Sequence, residues 1–264
     1  MREVANRNPD KFSSELNRAL YDAFHYYKAQ SQWDNAVSAM REAESRNPEI
    51  HGAEFEQVLH DAFNYYKAKD LWNKAVEVLW EAAKRNPDEY RSELFDYFKA
   101  QDSVWSWGKA LDVMREAARR NPERYQSELN RALHDAFDYY CAKGFWYDAL
   151  NAMREAANRD PDKYNSRLYQ ALRDAFEYYK ITKDSLGCCR WDEALDIMRE
   201  AASRNPEAFR SELDQAVRDA FSYYKAAGRW HKAIDVMRKA ASENPDVFGP
   251  VLRQAMADSP YVHE

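Results

Sequence analysis

Two residue types recur along this chain in a single phase, and that recurrence narrows the possible folds more than any other feature. An Asn-Pro or Asp-Pro step stands at Pro9, Pro48, Pro87, Pro122, Pro161, Pro206 and Pro245, at intervals of 39, 39, 35, 39, 45 and 39 residues. Tryptophan stands at Trp33, Trp72, Trp107, Trp146, Trp191 and Trp230, with the same intervals as the prolines from Pro48 onward. A period of this size marks a stack of like units, each too small to bury its apolar face alone and each completed by its neighbours.

One unit shows what is being repeated. Its first half, Ser14 to Lys28, places Leu16, Leu20, Ala23, Phe24 and Tyr27 at helical spacing. Its second half, from Trp33, does the same with Ala36, Val37, Met40 and Ala43. Apolar residues at i, i+3, i+4 and i+7 make an amphipathic helix with one buried stripe, so the unit is a helical hairpin. Asn47 is placed to cap the next helix, with Pro48 at its first position and Glu49 near the positive end of the helix dipole. The turn inside the hairpin is marked by glycine in two units only, at Gly144 and Gly228.

The length variants agree with hairpins. In the third unit Ser92-Glu93-Leu94 runs directly into Phe95, so seven residues of first helix are missing relative to the first unit. Seven residues are close to two helical turns, which keeps the buried stripe in phase. Three residues are gained before Trp107 and six in the fifth unit around Lys183 to Cys189, both read as turn insertions. The expected fold is all-α: a right-handed α-solenoid of antiparallel helix pairs, about six 39-residue repeats plus a half repeat at each end. That gives thirteen to fourteen helices in one domain. Residues 1–12 match the second half of a truncated repeat, residues 13–248 form the six repeats, and residues 249–264 form a capping helix and tail.

With Trp33, Ala36, Met40, Ala43 and Pro48 in these places, the unit resembles the tetratricopeptide repeat over nearly the whole chain. It departs from that family in its period, 39 residues against about 34, and in a bulky Phe24 where a small residue is usual. A second resemblance, to pentatricopeptide repeats, lies in Lys225 to Ala233 and in Trp191 to Glu200. The first resemblance implies a non-catalytic protein-binding scaffold or assembly subunit; the second implies a single-stranded RNA-binding solenoid.

Charge separates these two readings. The net charge is −6, and a chain that neutralises phosphates ordinarily carries a basic excess. Protein or peptide is therefore the expected partner, and nucleic acid is disfavoured. The three cysteines, Cys141, Cys188 and Cys189, suit a reducing intracellular compartment, cytoplasm or organelle interior, rather than a secreted disulfide framework. Pairing Cys188 with Cys189 would need a strained vicinal bridge. No signal peptide and no apolar run of membrane-spanning length is visible.

No phosphate loop, zinc-ligand spacing or nucleophile elbow appears, so neither catalysis nor a cofactor or metal is expected. The carboxylates Asp22, Asp61, Asp135, Asp174 and Asp219 recur in one phase and read as ion-pair partners along the helix or across repeats. The tryptophans read as core packing. The tetratricopeptide resemblance implies that first helices line a concave groove. In its register the groove positions are Arg18, Tyr21, His25 and Lys28, then Gln57, His60, Asn64 and Lys67. The fourth unit offers Arg131, His134, Asp138 and Cys141; the fifth, Gln170, Arg173, Glu177 and Lys180; the sixth, Gln215, Arg218, Ser222 and Lys225. This set tilts basic and would suit an extended, partly acidic peptide. Tyr26, Tyr65, Tyr139, Tyr178 and Tyr223 are expected at the groove edge.

Overall fold

The computed structural model describes residues 9–183 and 189–259. Among them are thirteen α-helices and no strand beyond an isolated bridge between Lys183 and Cys189. The helices are α1 (Pro9–Ala29), α2 (Trp33–Arg46), α3 (Pro48–Ala68), α4 (Trp72–Arg85), α5 (Pro87–Ala100), α6 (Val104–Arg120) and α7 (Pro122–Ala142). They continue as α8 (Trp146–Arg159), α9 (Pro161–Ile181), α10 (Trp191–Arg204), α11 (Pro206–Ala226), α12 (Trp230–Glu243) and α13 (Pro245–Asp258). The chain divides into two compact units, Met1–Ala132 and Leu133–Glu264, with the division inside α7.

In the first unit each helix from α1 to α6 packs on the next in sequence, and in the second α9 to α13 do the same. The pattern follows from where side chains can hide. Leu16, Leu20 and Phe24 of α1 and Trp33, Ala36, Val37, Met40 and Ala43 of α2 are buried. Ala36, Ala75, Ala110, Ala149, Ala194 and Ala233, each three residues after the repeat tryptophan, are all 0% exposed. A methyl group at that point lets neighbouring backbones approach closely, and close packing is what gives a thin helical layer a core.

Each joint between hairpins is one residue. The Asn47 N–H donates to the Ala43 carbonyl at 3.1 Å and so ends α2, while its own carbonyl accepts from the His51 N–H at 3.1 Å and so starts α3. Proline fits immediately afterwards because the first helical N–H has no partner to lose. The side-chain cap expected of Asn47 is not made, nor is it at Asn86 or Asn244. It is made at Asn121, Asp160 and Asn205, whose side chains accept from the N–H of Arg124, Lys163 and Ala208. The backbone alone therefore sets the joint.

Inside the hairpins the chain reverses through a left-handed residue. It is Gly144 (φ 78°) and Gly228 (φ 71°) in two repeats, and Ser31 (φ 55°), Asp70 (φ 56°) and Asp102 (φ 44°) in others. In the first repeat Ser31 N–H bonds the Lys28 carbonyl at 3.0 Å and Gln32 N–H bonds the Tyr27 carbonyl at 2.9 Å. That pair of bonds is a Schellman motif, which satisfies the last carbonyls of α1.

The third repeat corrects the sequence reading in one respect. Helix α5 has 14 residues where α3 has 21, so the loss of seven is as read. The three residues gained before Trp107 are not turn: they extend α6 by a helical turn, capped by Ser103, whose hydroxyl accepts from Ser106 N–H at 3.1 Å. Serine is a good cap and the extra turn satisfies its own backbone, so helix wins over loop. At the other end, α13 is a single helix from Pro245 that carries Pro250 inside it, so no separate helix begins after residue 248. Of the truncated repeat read at residues 1–12, residues 1–8 lie outside the described residues and residues 9–12 instead open α1; the Cys188–Cys189 reading falls outside them because Cys188 does.

Candidate partner-binding face

The expected groove positions lie on one face of the first helices, and the structure shows what each touches. In α1, Arg18 and His25 are exposed, and the Tyr21 ring meets the His25 ring edge-on at 4.5 Å. A hydrogen bond with Glu54 on α3 raises the Tyr21 pKa. Lys28 Nζ donates to Asp61 at 2.8 Å and lies 5.7 Å from the centroids of Phe24 and Trp33. In α3, Gln57 donates to the same Asp61 at 2.9 Å, Asn64 lies 3.2 Å from the His60 ring nitrogen, and Lys67 donates to Glu93. Arg131 of α7 is exposed.

The second unit follows the same plan. His134 lies 3.5 Å from Asp138, which also accepts from Arg167 at 2.6 Å. Gln170 donates to Asp174 and Gln215 to Asp219, each at 2.8 Å. Arg173 pairs with Glu212 at 2.7 Å while lying 4.5 Å above the Phe209 ring. Lys180 pairs with Glu177 at 2.7 Å, Arg218 lies over Phe248 at 5.5 Å, and Lys225 stands 3.9 Å from Asp258.

Of the recurring carboxylates, Asp61 anchors one repeat to the next, while Asp174 and Asp219 accept from a glutamine of their own helix. Lys28 to Asp61, Lys67 to Glu93 and Lys225 to Asp258 are one contact made three times. Burial pushes Asp61 upward in pKa, but hydrogen bonds from Lys28 and Gln57 outweigh it and hold the carboxyl below its ordinary value. Glu93 fills this rank in the third repeat, a place the sequence reading left empty because the Asp-Ala-Phe motif is deleted there. The position can still be found by counting four residues back from Tyr97, as Asp61 stands four before Tyr65. Cys141 is half-buried, and burial with Asp138 and Asp174 nearby pushes its thiol up to about 11. It stays protonated and is a poor nucleophile.

A second contact set repeats on the tryptophan side. Rings of Trp33 and Tyr65 lie 5.9 Å apart, Trp72 and Tyr97 5.3 Å, Trp146 and Tyr178 5.9 Å, Trp191 and Tyr223 6.3 Å. The first tyrosine of each pair was expected at the groove edge; Tyr65, Tyr178 and Tyr223 instead pack on the preceding repeat's tryptophan. These four tryptophans each meet a tyrosine one repeat on, in one register. The chain is an α-helical repeat protein built of helical hairpins. The second helices add ion pairs in the same spirit: Arg41 to Glu81 at 2.6 Å, Arg154 to Glu200 at 2.5 Å and Arg199 to Glu243 at 3.1 Å.

No family model matches the sequence, and no curated protein matches it. Solved structures similar to this repeat array include the MamA protein, at 18% identity over 74% of this chain and 94% of that one, with a TM-score of 0.27. A tetratricopeptide repeat protein from Parabacteroides merdae is 13% identical over 92% of this chain and 99% of that one, TM-score 0.26. PilW, a widely conserved type IV pilus biogenesis factor, is 13% identical over 90% and 98%, TM-score 0.24. No helix among the described residues is long and apolar enough to cross a membrane.

Proposed function

We propose that the chain is a non-catalytic scaffold that holds a protein or peptide partner on the exposed face of its first helices. The observation that carries this reading is the pairing of that face's cations with carboxylates of the chain itself. Lys28, Lys67 and Arg173 are bound by Asp61, Glu93 and Glu212. A lysine rank that tracked a phosphate backbone would be left open to counterions. Here it is largely neutralised from within. What remains is a mixed polar and aromatic surface, with Gln57, His60, Asn64 and Tyr21 among its members, and such surfaces recognise extended peptides through hydrogen bonds and ring contacts.

The same pairing changes the ligand suited to this face. A strongly acidic peptide would have to displace the resident carboxylates, so a peptide of mixed charge fits better.

Panning a random-peptide display library on the full chain tests the proposal. Selected peptides should bind at least about tenfold more weakly once His60→Glu and Asn64→Glu are combined, since both residues lie on the face. Selected peptides that bind equally well to the double variant would overturn it.

A further inference from the structure

At the C-terminal end of the shortened α5 lies a cleft of about 690 Å³, lined by Trp72, Glu93, Asp96, Tyr97, Ala100 and Gln101. All six residues belong to the first compact unit. The Trp72 and Tyr97 rings stack there at 5.3 Å with only 19° between their planes. The equivalent pairs Trp33–Tyr65, Trp146–Tyr178 and Trp191–Tyr223 are tilted by 38°, 41° and 40°. The cleft thus combines flat aromatic surface with net negative charge from two sources, Asp96 and the end of α5. Asp96 is exposed and, among the described residues, has neither a hydrogen-bond nor an ion-pair partner. Glu93 is shared with Lys67. The last turn of α5 brings the negative end of a helix dipole to the wall, at Ala100 and Gln101. The one lysine in that turn, Lys99, is directed elsewhere, over the rings of Phe95 and Trp107 at 5.8 Å and 5.3 Å.

We propose that this cleft receives the guanidinium group of an arginine side chain presented by a peptide partner. The proposal rests on the scaffold reading above, because Asp96 follows Phe95 as His25 follows Phe24 and Asn64 follows Phe63, and so belongs to the same face. Charge and shape select the occupant. An anion is repelled by Asp96 and the helix end, since the charge of Glu93 is matched by Lys67. A guanidinium is flat, so it lies on an aromatic face while its paired N–H groups reach a carboxylate, which a lysine ammonium cannot do in both respects. Glu93 and Asp96 stand within a turn of each other beside the stacked rings, and Asp96 is open there, whereas at the same two places in α9 Asp174 accepts from Gln170 and Glu177 is paired with Lys180.

The test is a titration of the isotope-labelled full chain with acetyl-Gly-Gly-Arg-Gly-Gly-amide, followed by nuclear magnetic resonance. A matched peptide carrying citrulline, which has the shape without the charge, is the control. The arginine peptide should shift the Trp72 indole N–H and the backbone amides from Tyr97 to Gln101. Citrulline should bind about tenfold more weakly, and Asp96→Asn should weaken the arginine peptide by a similar factor, as expected for losing one charge-assisted hydrogen bond. Asp96 is exposed, so this variant leaves the fold intact, which circular dichroism checks; Trp72→Phe provides a second reading through the lost stacking surface. Equal affinity for citrulline, or unchanged arginine affinity in Asp96→Asn, would overturn the proposal. An arginine peptide without effect, together with library peptides that still need His60 and Asn64, would remove this cleft and leave the scaffold standing. Library peptides indifferent to His60 and Asn64 would remove the scaffold reading, whatever arginine does.

Discussion

The Tyr66 hydroxyl donates to the Asp34 carboxylate at 2.6 Å, across the boundary between the first and second repeats. Lys74 approaches the other oxygen of the same carboxylate and lies 5.6 Å from the Tyr66 ring centroid. The arrangement returns at the boundary of the fifth and sixth repeats, where Tyr224 donates to Asp192 at 2.9 Å and Lys232 at 2.6 Å. A tyrosine, an aspartate and a lysine thus lock one hairpin to the next. Tyr66 and Tyr224 are buried up to that hydroxyl. Removing it by Tyr66→Phe should destabilise the chain by about 0.5–1.5 kcal/mol, the lower part of the range because Asp34 keeps water and Lys74 as partners. Urea unfolding of the full chain reads this directly.

The turn residues give a prediction of opposite signs. Ser31 occupies a left-handed position that costs a residue with a side chain roughly 1 kcal/mol. Ser31→Gly should therefore gain up to about 1 kcal/mol, less the extra freedom that glycine has when unfolded. Gly228→Ala should lose about 1 kcal/mol. At Gly228 an added methyl group would meet nothing within 4 Å, so any loss measured there comes from the backbone alone. Thermal midpoints of the two variants should move in opposite directions.

Two tryptophans separate packing from exposure. Trp191 is 6% exposed and Trp105 is 69% exposed. Trp191→Ala should cost about 3–5 kcal/mol, as for other buried aromatics, and Trp105→Ala under about 1 kcal/mol. Denaturation midpoints in the reverse order would mean that inside and outside have been exchanged.

Acid should loosen the array through its inter-repeat carboxylates. Hydrogen bonds from Lys74 and Tyr66 lower the pKa of Asp34. At Asp192 and Glu200 burial acts upward but is outweighed by Lys232 with Tyr224, and by Arg154 with Arg204. Within α6 itself, Glu116 is held by Arg119 and Arg120 and falls to about 2, so it adds to the acid response without joining repeats. A carboxyl whose folded pKa lies below its unfolded one stabilises the fold above the unfolded value and stops doing so as pH falls through the folded value. With unfolded values of about 3.9–4.3, stability should hold from neutral pH to about 4.5 and decline from there toward pH 2. Urea midpoints at a series of pH values would show this, and Arg154→Met should make the decline shallower.

The repeat was legible because tryptophan, alanine and proline each have a single structural task in every unit. Ala36 and its five counterparts must be small, Trp33 must be large, and Pro48 must follow the joint. What was not legible depends on which neighbour a side chain meets. A tyrosine pair such as Tyr65-Tyr66 shows helical phase alone, and only the stacked repeats reveal that Tyr65 lies on Trp33 and that Tyr66 reaches Asp34. Lys28 and Lys67 looked like an open basic rank for the same reason, since Asp61 and Glu93 are 33 and 26 residues away in sequence. The hairpin turn was hidden where Ser31, Asp70 and Asp102 do what glycine does at 144 and 228. The three residues before Trp107 were read as loop because an insertion beside a turn and a helix begun one turn early have the same length. Only the Ser103 cap distinguishes them.

A titration with mixed-sequence single-stranded RNA at two salt concentrations tests the central claim most directly. On a phosphate-tracking surface log affinity would fall with log salt at a slope of about −0.7 per phosphate contacted. The account predicts no binding at physiological salt, because Lys28, Lys67 and Arg173 are paired within the chain and its net charge is −6. Micromolar or tighter binding that weakens steeply as salt is raised would contradict it.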